Sequence, residues 1–203
     1  MKDARFSTQM TSAAVPDNGD AKHSSFDSLQ KADEHIFTHV AGWHSELGDT
    51  VLPRLSVAAS YSRLWIAISA VVGLTGGKES RRAVLEALTA VALSSAVANI
   101  AAKGVAHRQR PTTTVPDSRA LEHPSSSSFP SGHSASAAAF SGVMAHRLPT
   151  IAVPINAVAA SVAFSRVYTG VHYPSDVAVG WAMGRIAARV VTLVSRRLYI
   201  DES

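Results

Sequence analysis

Apolar residues return every three or four positions from Phe26: Phe26, Leu29, Ala32, Ile36, Val40, Trp43 and Leu47. That spacing lays one apolar stripe along a helix over residues 25–50. Lys31, Asp33, Glu34 and Glu46 fall on the opposite face, and a face so charged cannot cross a bilayer. Such a helix lies on a membrane surface or packs against the rest of the fold. Ahead of it, residues 1–24 are polar and rich in Ser, Asp and Ala, the composition of a disordered tail.

Five apolar stretches follow, at about 64–74, 83–102, 134–148, 150–164 and 177–194. None shows period-two alternation or a hairpin dipeptide between apolar runs, so the pattern predicts an all-α helical bundle. A membrane-crossing helix needs about 20 residues for roughly 30 Å of hydrocarbon. Only Ala83 to Ala102 reaches that length cleanly; Leu64 to Leu74 does so only if Ser56 to Arg63 extends it. The last stretch carries Arg185 and Arg189 one turn apart, placed to reach a membrane edge or to pair inside a bundle. The expected architecture is a multi-pass membrane bundle of about five apolar helices behind the amphipathic one, with residues 25–203 as one domain and 64–195 as its core. Gly180-x3-Gly184 and Ala135-x3-Ala139 are small-residue pairs that let helix backbones approach closely.

Composition narrows the classes. Charged residues are 17% of 203, below the roughly 25% of soluble domains. The net charge of +4 comes without a Lys/Arg-rich run, so lipid or phosphate, rather than nucleic acid, is the expected partner. With no cysteine, disulfides and thiolate chemistry are excluded. The first twenty residues hold no apolar core of a leader, so no cleavable signal peptide is expected. Lys78, Arg81, Arg82, Arg147, Arg196 and Arg197 gather in the loops at one end, which favours that end as the cytoplasmic one and an external site; five spans with the polar N-terminus kept inside would instead turn the site inward.

Three blocks carry the chemistry: Lys103-x6-Arg110-Pro111, Pro130-Ser131-Gly132-His133 and Ser165-Arg166-x5-His172-x3-Asp176. Lys103, Arg110 and Arg166 are three fixed cations, enough to surround three equatorial phosphoryl oxygens. Arginine suits the role because its planar fork binds two oxygens at once. Ser131 reads as a helix N-cap, and Gly132 lets backbone amides approach an anion without Cβ interference. Pro174 favours the first helical position, so Asp176 falls in the first turn and reaches back to one nitrogen of His172. The other nitrogen is left for chemistry. Between the first two blocks, residues 112–129 form a long polar loop, expected to lie over the site.

In this order and at these internal spacings the blocks resemble the type 2 phosphatidic acid phosphatase superfamily, which includes lipid phosphatases, some soluble bacterial acid phosphatases and the vanadium haloperoxidases. The resemblance implies a phosphatase in which His172 is the nucleophile that forms a phosphohistidine and His133 the general acid. Asp176 orients His172, while Lys103, Arg110 and Arg166, with the Ser131–Gly132 turn, hold the phosphoryl group. It implies no cofactor and no metal. His35 and His39 have a zinc-like spacing but no third ligand spaced with them. The short alanine-rich chain with its single amphipathic lead helix looks like the small bacterial branch containing decaprenylphosphoryl-5-phosphoribose phosphatases. The expected partners are a bilayer and a prenyl or diacyl lipid phosphate. A soluble-type acid phosphatase, a vanadium haloperoxidase and a phospholipid-binding scaffold are the alternatives.

Overall fold

Apolar runs without β alternation fold as helices throughout the second half of the chain. The computed structural model describes the backbone of residues 18–104, 108–112, 115–122 and 126–200, and side chains over 28–101, 108–112, 115–122 and 126–198. Its helices are α1 (Asn18–Ala41), α2 (Glu46–Ala58), α3 (Arg63–Thr75), α4 (Lys78–Gly104), α5 (Gly132–Arg147), α6 (Ala152–Tyr168) and α7 (Pro174–Ile200). The five apolar stretches are α3 to α7, and no strand occurs among the described residues. By internal contacts residues 1–32 and 33–203 are two separate units; the site belongs wholly to the second.

The single amphipathic helix expected over 25–50 is instead two helices, with α1 already begun at Asn18. The Gly42 amide still bonds Thr38 O at 3.0 Å, and the chain then turns. Ser45 starts α2 as its N-cap, its Oγ accepting from the Gly48 amide at 3.2 Å. Glycine after a helix and serine before one are the ordinary stop and start signals; the continuous apolar stripe hid them. The tail expected over 1–24 lies outside the described residues as far as residue 17.

Alanine and serine decide the centre. In α5, Ala135, Ala137, Ala138, Ala139, Phe140, Val143 and Met144 are all fully buried, as are Ser134 and Ser141. Small side chains on every face let α4, α6 and α7 pack around this helix. The seam with α7 is the tightest. A Cβ added at Gly184 would lie 2.1 Å from Ala135 O, and one at Gly180 would lie 2.3 Å from Ser131 O. Both small-residue pairs therefore mesh backbone to backbone. Arg185 reaches the same seam, where a Cβ on Gly142 would meet its Nη1 at 3.2 Å.

Among the described residues, three helical segments are long and apolar enough to cross a membrane: Lys78–Ala101, Pro149–Tyr168 and Pro174–Leu198. Helix α5, at 16 residues, is about 24 Å long and falls short. Segments 46–58 and 60–75 reach that length only as a pair bent by 69°. Tyr61 and Ser62, at φ 54 and φ 60, make the bend. The extension of Leu64–Leu74 through Ser56 is thus an elbow rather than a straight span. Arg63 fastens it, donating to Val57 O at 3.0 Å and to Ser60 O at 3.2 Å.

Candidate active site

The second and third blocks meet because α5 and α7 begin side by side. Ser131 caps α5, its Oγ accepting from the Ser134 amide, while its own amide donates to Asp176 O at 3.0 Å. At the next position, a Cβ on Gly132 would meet no atom within 4 Å. The space beside Gly132, at the positive end of a helix, is therefore open, which is the arrangement an anion needs. The chain leaves α6 after Tyr168 and turns at Gly170, whose φ of +77 disfavours a side chain. His172 and Asp176 follow at the start of α7.

Asp176 is fully buried and fully engaged. One carboxylate oxygen accepts from Arg108 Nη1 at 2.8 Å. The other accepts from Ser128 Oγ and from the Tyr173 amide at 2.9 Å. That second oxygen lies 3.7 Å from His172 Nδ1, an ion-pair contact just beyond hydrogen-bond reach, and Nδ1 has no other partner among the described residues. The far nitrogen, Nε2, faces Arg110 Nη1 at 3.4 Å. Asp176 therefore sits behind the ring and the cation in front of it.

The guanidinium of Arg110 is fixed from behind by backbone, donating to Val171 O at 2.6 Å and to Ser126 O and Ser127 O at 3.3 Å. Arg166, 5% exposed, donates to the Ser56 hydroxyl. His133 Nε2 lies 3.3 Å from Ser60 Oγ, and the same ring is hydrogen-bonded to the Ser56 backbone. One turn at the α2 elbow thus touches both Arg166 of the third block and His133 of the second. Lys103 lies in the last turn of α4, but its side chain is outside the described residues, as are His107 and His123.

Electrostatics keep both imidazoles neutral. Burial, with Arg166, His172 and Arg110 adding, lowers the pKa of His133 to about 3. Burial likewise lowers His172 to about 4, with Asp176 opposing and Arg166 and Arg110 assisting. Each ring therefore keeps one nitrogen lone pair unprotonated, and a dianion placed beside them would raise both pKa values.

Four participants were not read from the sequence. Arg108 is not among the fixed positions of the three blocks and Asp33 stands on the charged face of the first helix, yet Arg108 bridges Asp33 and Asp176 at 2.5 and 2.8 Å. Ser56 and Ser60 carry no motif at all. The loop expected over the site is fastened by Arg119, fully buried, which donates to Trp43 O at 2.8 Å and to Ala41 O and lies 4.2 Å from the Tyr168 ring. Among the described residues no three His, Asp or Glu side chains gather as metal ligands, His35 and His39 included.

Residues 83–200, more than half the chain, match the model of the PAP2 superfamily. The chain belongs to the PAP2 superfamily. The family reading of the three blocks is borne out, and so is the phosphatase class. The decaprenylphosphoryl-5-phosphoribose phosphatase of Mycobacterium tuberculosis is 36% identical over 138 residues, 64% of this chain and 71% of that protein. Among solved structures, the transmembrane PAP2-type phosphatidylglycerolphosphate phosphatase of Bacillus subtilis superposes with a TM-score of 0.66 at 24% identity. It covers 84% of this chain and 87% of its own. LpxE of Aquifex aeolicus gives 0.65 at 23%, covering 78% and 93%. At such identities the two structures establish the shared helical fold of this PAP2 protein.

Proposed function

We propose that this PAP2 protein is a metal-independent phosphatase of a membrane lipid phosphate, working through a phosphohistidine on His172. The observation that carries the reading is the orientation of that ring, with Nδ1 toward the buried Asp176 and Nε2 toward Arg110. The Nε2 lone pair attacks phosphorus in line, and the P–O bond to the lipid breaks. The departing alkoxide takes its proton from His133, which the bound dianion has made basic enough to carry one. Arg110, Arg166 and Lys103 hold the equatorial oxygens, and the α5 amides at Gly132 neutralise developing charge. A water then gives its proton to His133 and attacks phosphorus. The P–N bond breaks, leaving inorganic phosphate and the original His172.

The three apolar segments of crossing length support a multi-pass place in the cell membrane. An apolar groove of about 600 Å³ on the exposed side of the α2–α3 elbow, bordered by Pro53, Val57, Leu64 and Ala67, offers a path for a lipid tail. The relatives named above favour prenyl or diacyl phosphates, decaprenylphosphoryl-5-phosphoribose among them.

The test is phosphate release by the detergent-purified chain from a panel of prenyl and diacyl phosphates, with p-nitrophenyl phosphate beside them. The lipids are expected to exceed the soluble ester in kcat/KM by at least about tenfold, or roughly 1.4 kcal/mol of transition-state binding. Preference for the soluble ester refutes the lipid assignment. Activity lost in EDTA and restored by magnesium refutes the metal-independent mechanism.

A further inference from the structure

We propose that Asp33, on α1 and outside all three blocks, is a positioning residue for this reaction: through Arg108 it holds Asp176, and hence the His172 ring, in register. The proposal rests on the His172–Asp176 reading above.

Asp33 is 3% exposed, and a buried carboxylate is tolerated only when its charge and lone pairs are met. Three donors meet them: Arg108 Nη2 at 2.5 Å, the Ser175 amide at 2.9 Å and the Ser175 hydroxyl. Arg108 divides its fork. Nη2 goes to Asp33, while Nη1 goes to Ser175 Oγ at 2.7 Å and to Asp176 Oδ1 at 2.8 Å. Its guanidinium also covers the Tyr173 ring at 4.4 Å. One turn further along α1, Phe37 meets the same ring edge-on at 5.9 Å. Residues 173, 175 and 176, which frame the first turn of α7, are therefore held from one side by Arg108 and by α1.

Charge explains why the second carboxylate matters. Burial alone would lower the Arg108 pKa, but its bonds and charge pairing with Asp33 and Asp176 raise it above the ordinary value. Without Asp33 the whole cation would bear on Asp176 and draw its Oδ1. The Oδ2 atom facing His172 already stands at 3.7 Å, so a small carboxylate rotation removes the contact that aims the ring. The phosphate clamps have anchors of their own, Arg110 on backbone carbonyls and Arg166 on Ser56.

The experiment uses the full chain in detergent, the fastest lipid phosphate of the panel, and vanadate as a probe of the phosphate pocket. Asp33→Asn keeps shape and removes charge. It is expected to lower kcat at least about tenfold while KM and vanadate inhibition stay within about threefold. The double variant Asp33→Asn/Arg108→Gln is expected to be no worse than Arg108→Gln, because the two act as one unit. A kcat within twofold of the parent overturns the proposal. So do losses that multiply in the double variant, or a vanadate affinity that falls with kcat. If Asp33→Asn does not fold, Arg108→Lys decides, since its single ammonium cannot reproduce the fork: full kcat in that variant refutes the proposal. His172→Ala separates the two readings. Turnover in it defeats the reaction mechanism, whereas a dead His172→Ala beside a fully active Asp33→Asn defeats only the role of Asp33.

Discussion

Two buried charge clusters sit at opposite ends of the same helices, and they are built differently. Near the start of α4, Glu86 takes both donors of Arg147 at 2.7 Å, Arg82 at 3.1 Å and Ser195 at 2.5 Å. This joins α4, α5 and α7 and satisfies both carboxylate oxygens. At the other end Arg166 donates to a hydroxyl and Arg110 to carbonyl oxygens, and Arg166 Nε and His172 Nδ1 have no hydrogen-bond partner among the described residues. In the first cluster an anion neutralises the cations. In the second, hydroxyl and carbonyl oxygens position the cations, and Asp176 acts on Arg110 as a nearby counter-charge. Buried groups left unsatisfied destabilise a fold, and enzymes carry that cost where chemistry happens.

Substitution should separate the clusters cleanly. His172→Ala is expected to lower kcat by at least about 10⁴-fold and abolish any acid-labile phosphoenzyme, with no fall in melting temperature. Phosphate release and thermal unfolding in detergent measure the two halves; a destabilised His172→Ala would erase the contrast. Asp176→Asn should cost on the order of 10²- to 10³-fold in kcat, since the ring loses its orienter but remains. In the far cluster Glu86→Ala leaves two cations without their anion. It should destabilise by about 3–5 kcal/mol, while kcat per folded molecule stays within twofold.

Acid sharpens the same contrast. His172 and His133 are held neutral, at about 4 and about 3, whereas in the unfolded chain they titrate near 6.5. The unfolded state therefore binds protons first as pH falls. The stability these rings contribute is complete above about pH 6.5 and is lost progressively toward pH 4. Melting temperature should drop between pH 7 and pH 5, and drop less in His172→Ala. The smallest effect expected is that of Ser195→Ala, roughly 1.5–3 kcal/mol for a hydrogen bond to a charged carboxylate, with activity untouched.

What could be read in advance follows from where the information lies. His133, His172, Asp176 and Arg166 stand in short contiguous blocks at helix ends, so the residues that meet here could be picked out by spacing, and helical periodicity predicts α3 to α7. Asp33 could not be, because one apolar stripe assigns every residue opposite it to solvent. The far side of α1 is in fact covered at Asp33 by Arg108 and Ser175. Ser56 and Ser60 escaped for another reason. Their contacts depend on an elbow made by Tyr61 and Ser62 in a left-handed conformation that neither residue type advertises.

The glycine seam between α5 and α7 gives the site one immovable jamb. Gly180 and Gly184 bring backbone against backbone, leaving no side chain there to rotate or repack. His133 on α5 and Asp176 on α7 are thus locked to one spacing. Widening for a larger ligand would fall to the opposite wall, at the elbow carrying Ser56 and Ser60. Lineages that change substrate are then free to vary the hinge side of the doorway, while the jamb tolerates nothing larger than hydrogen.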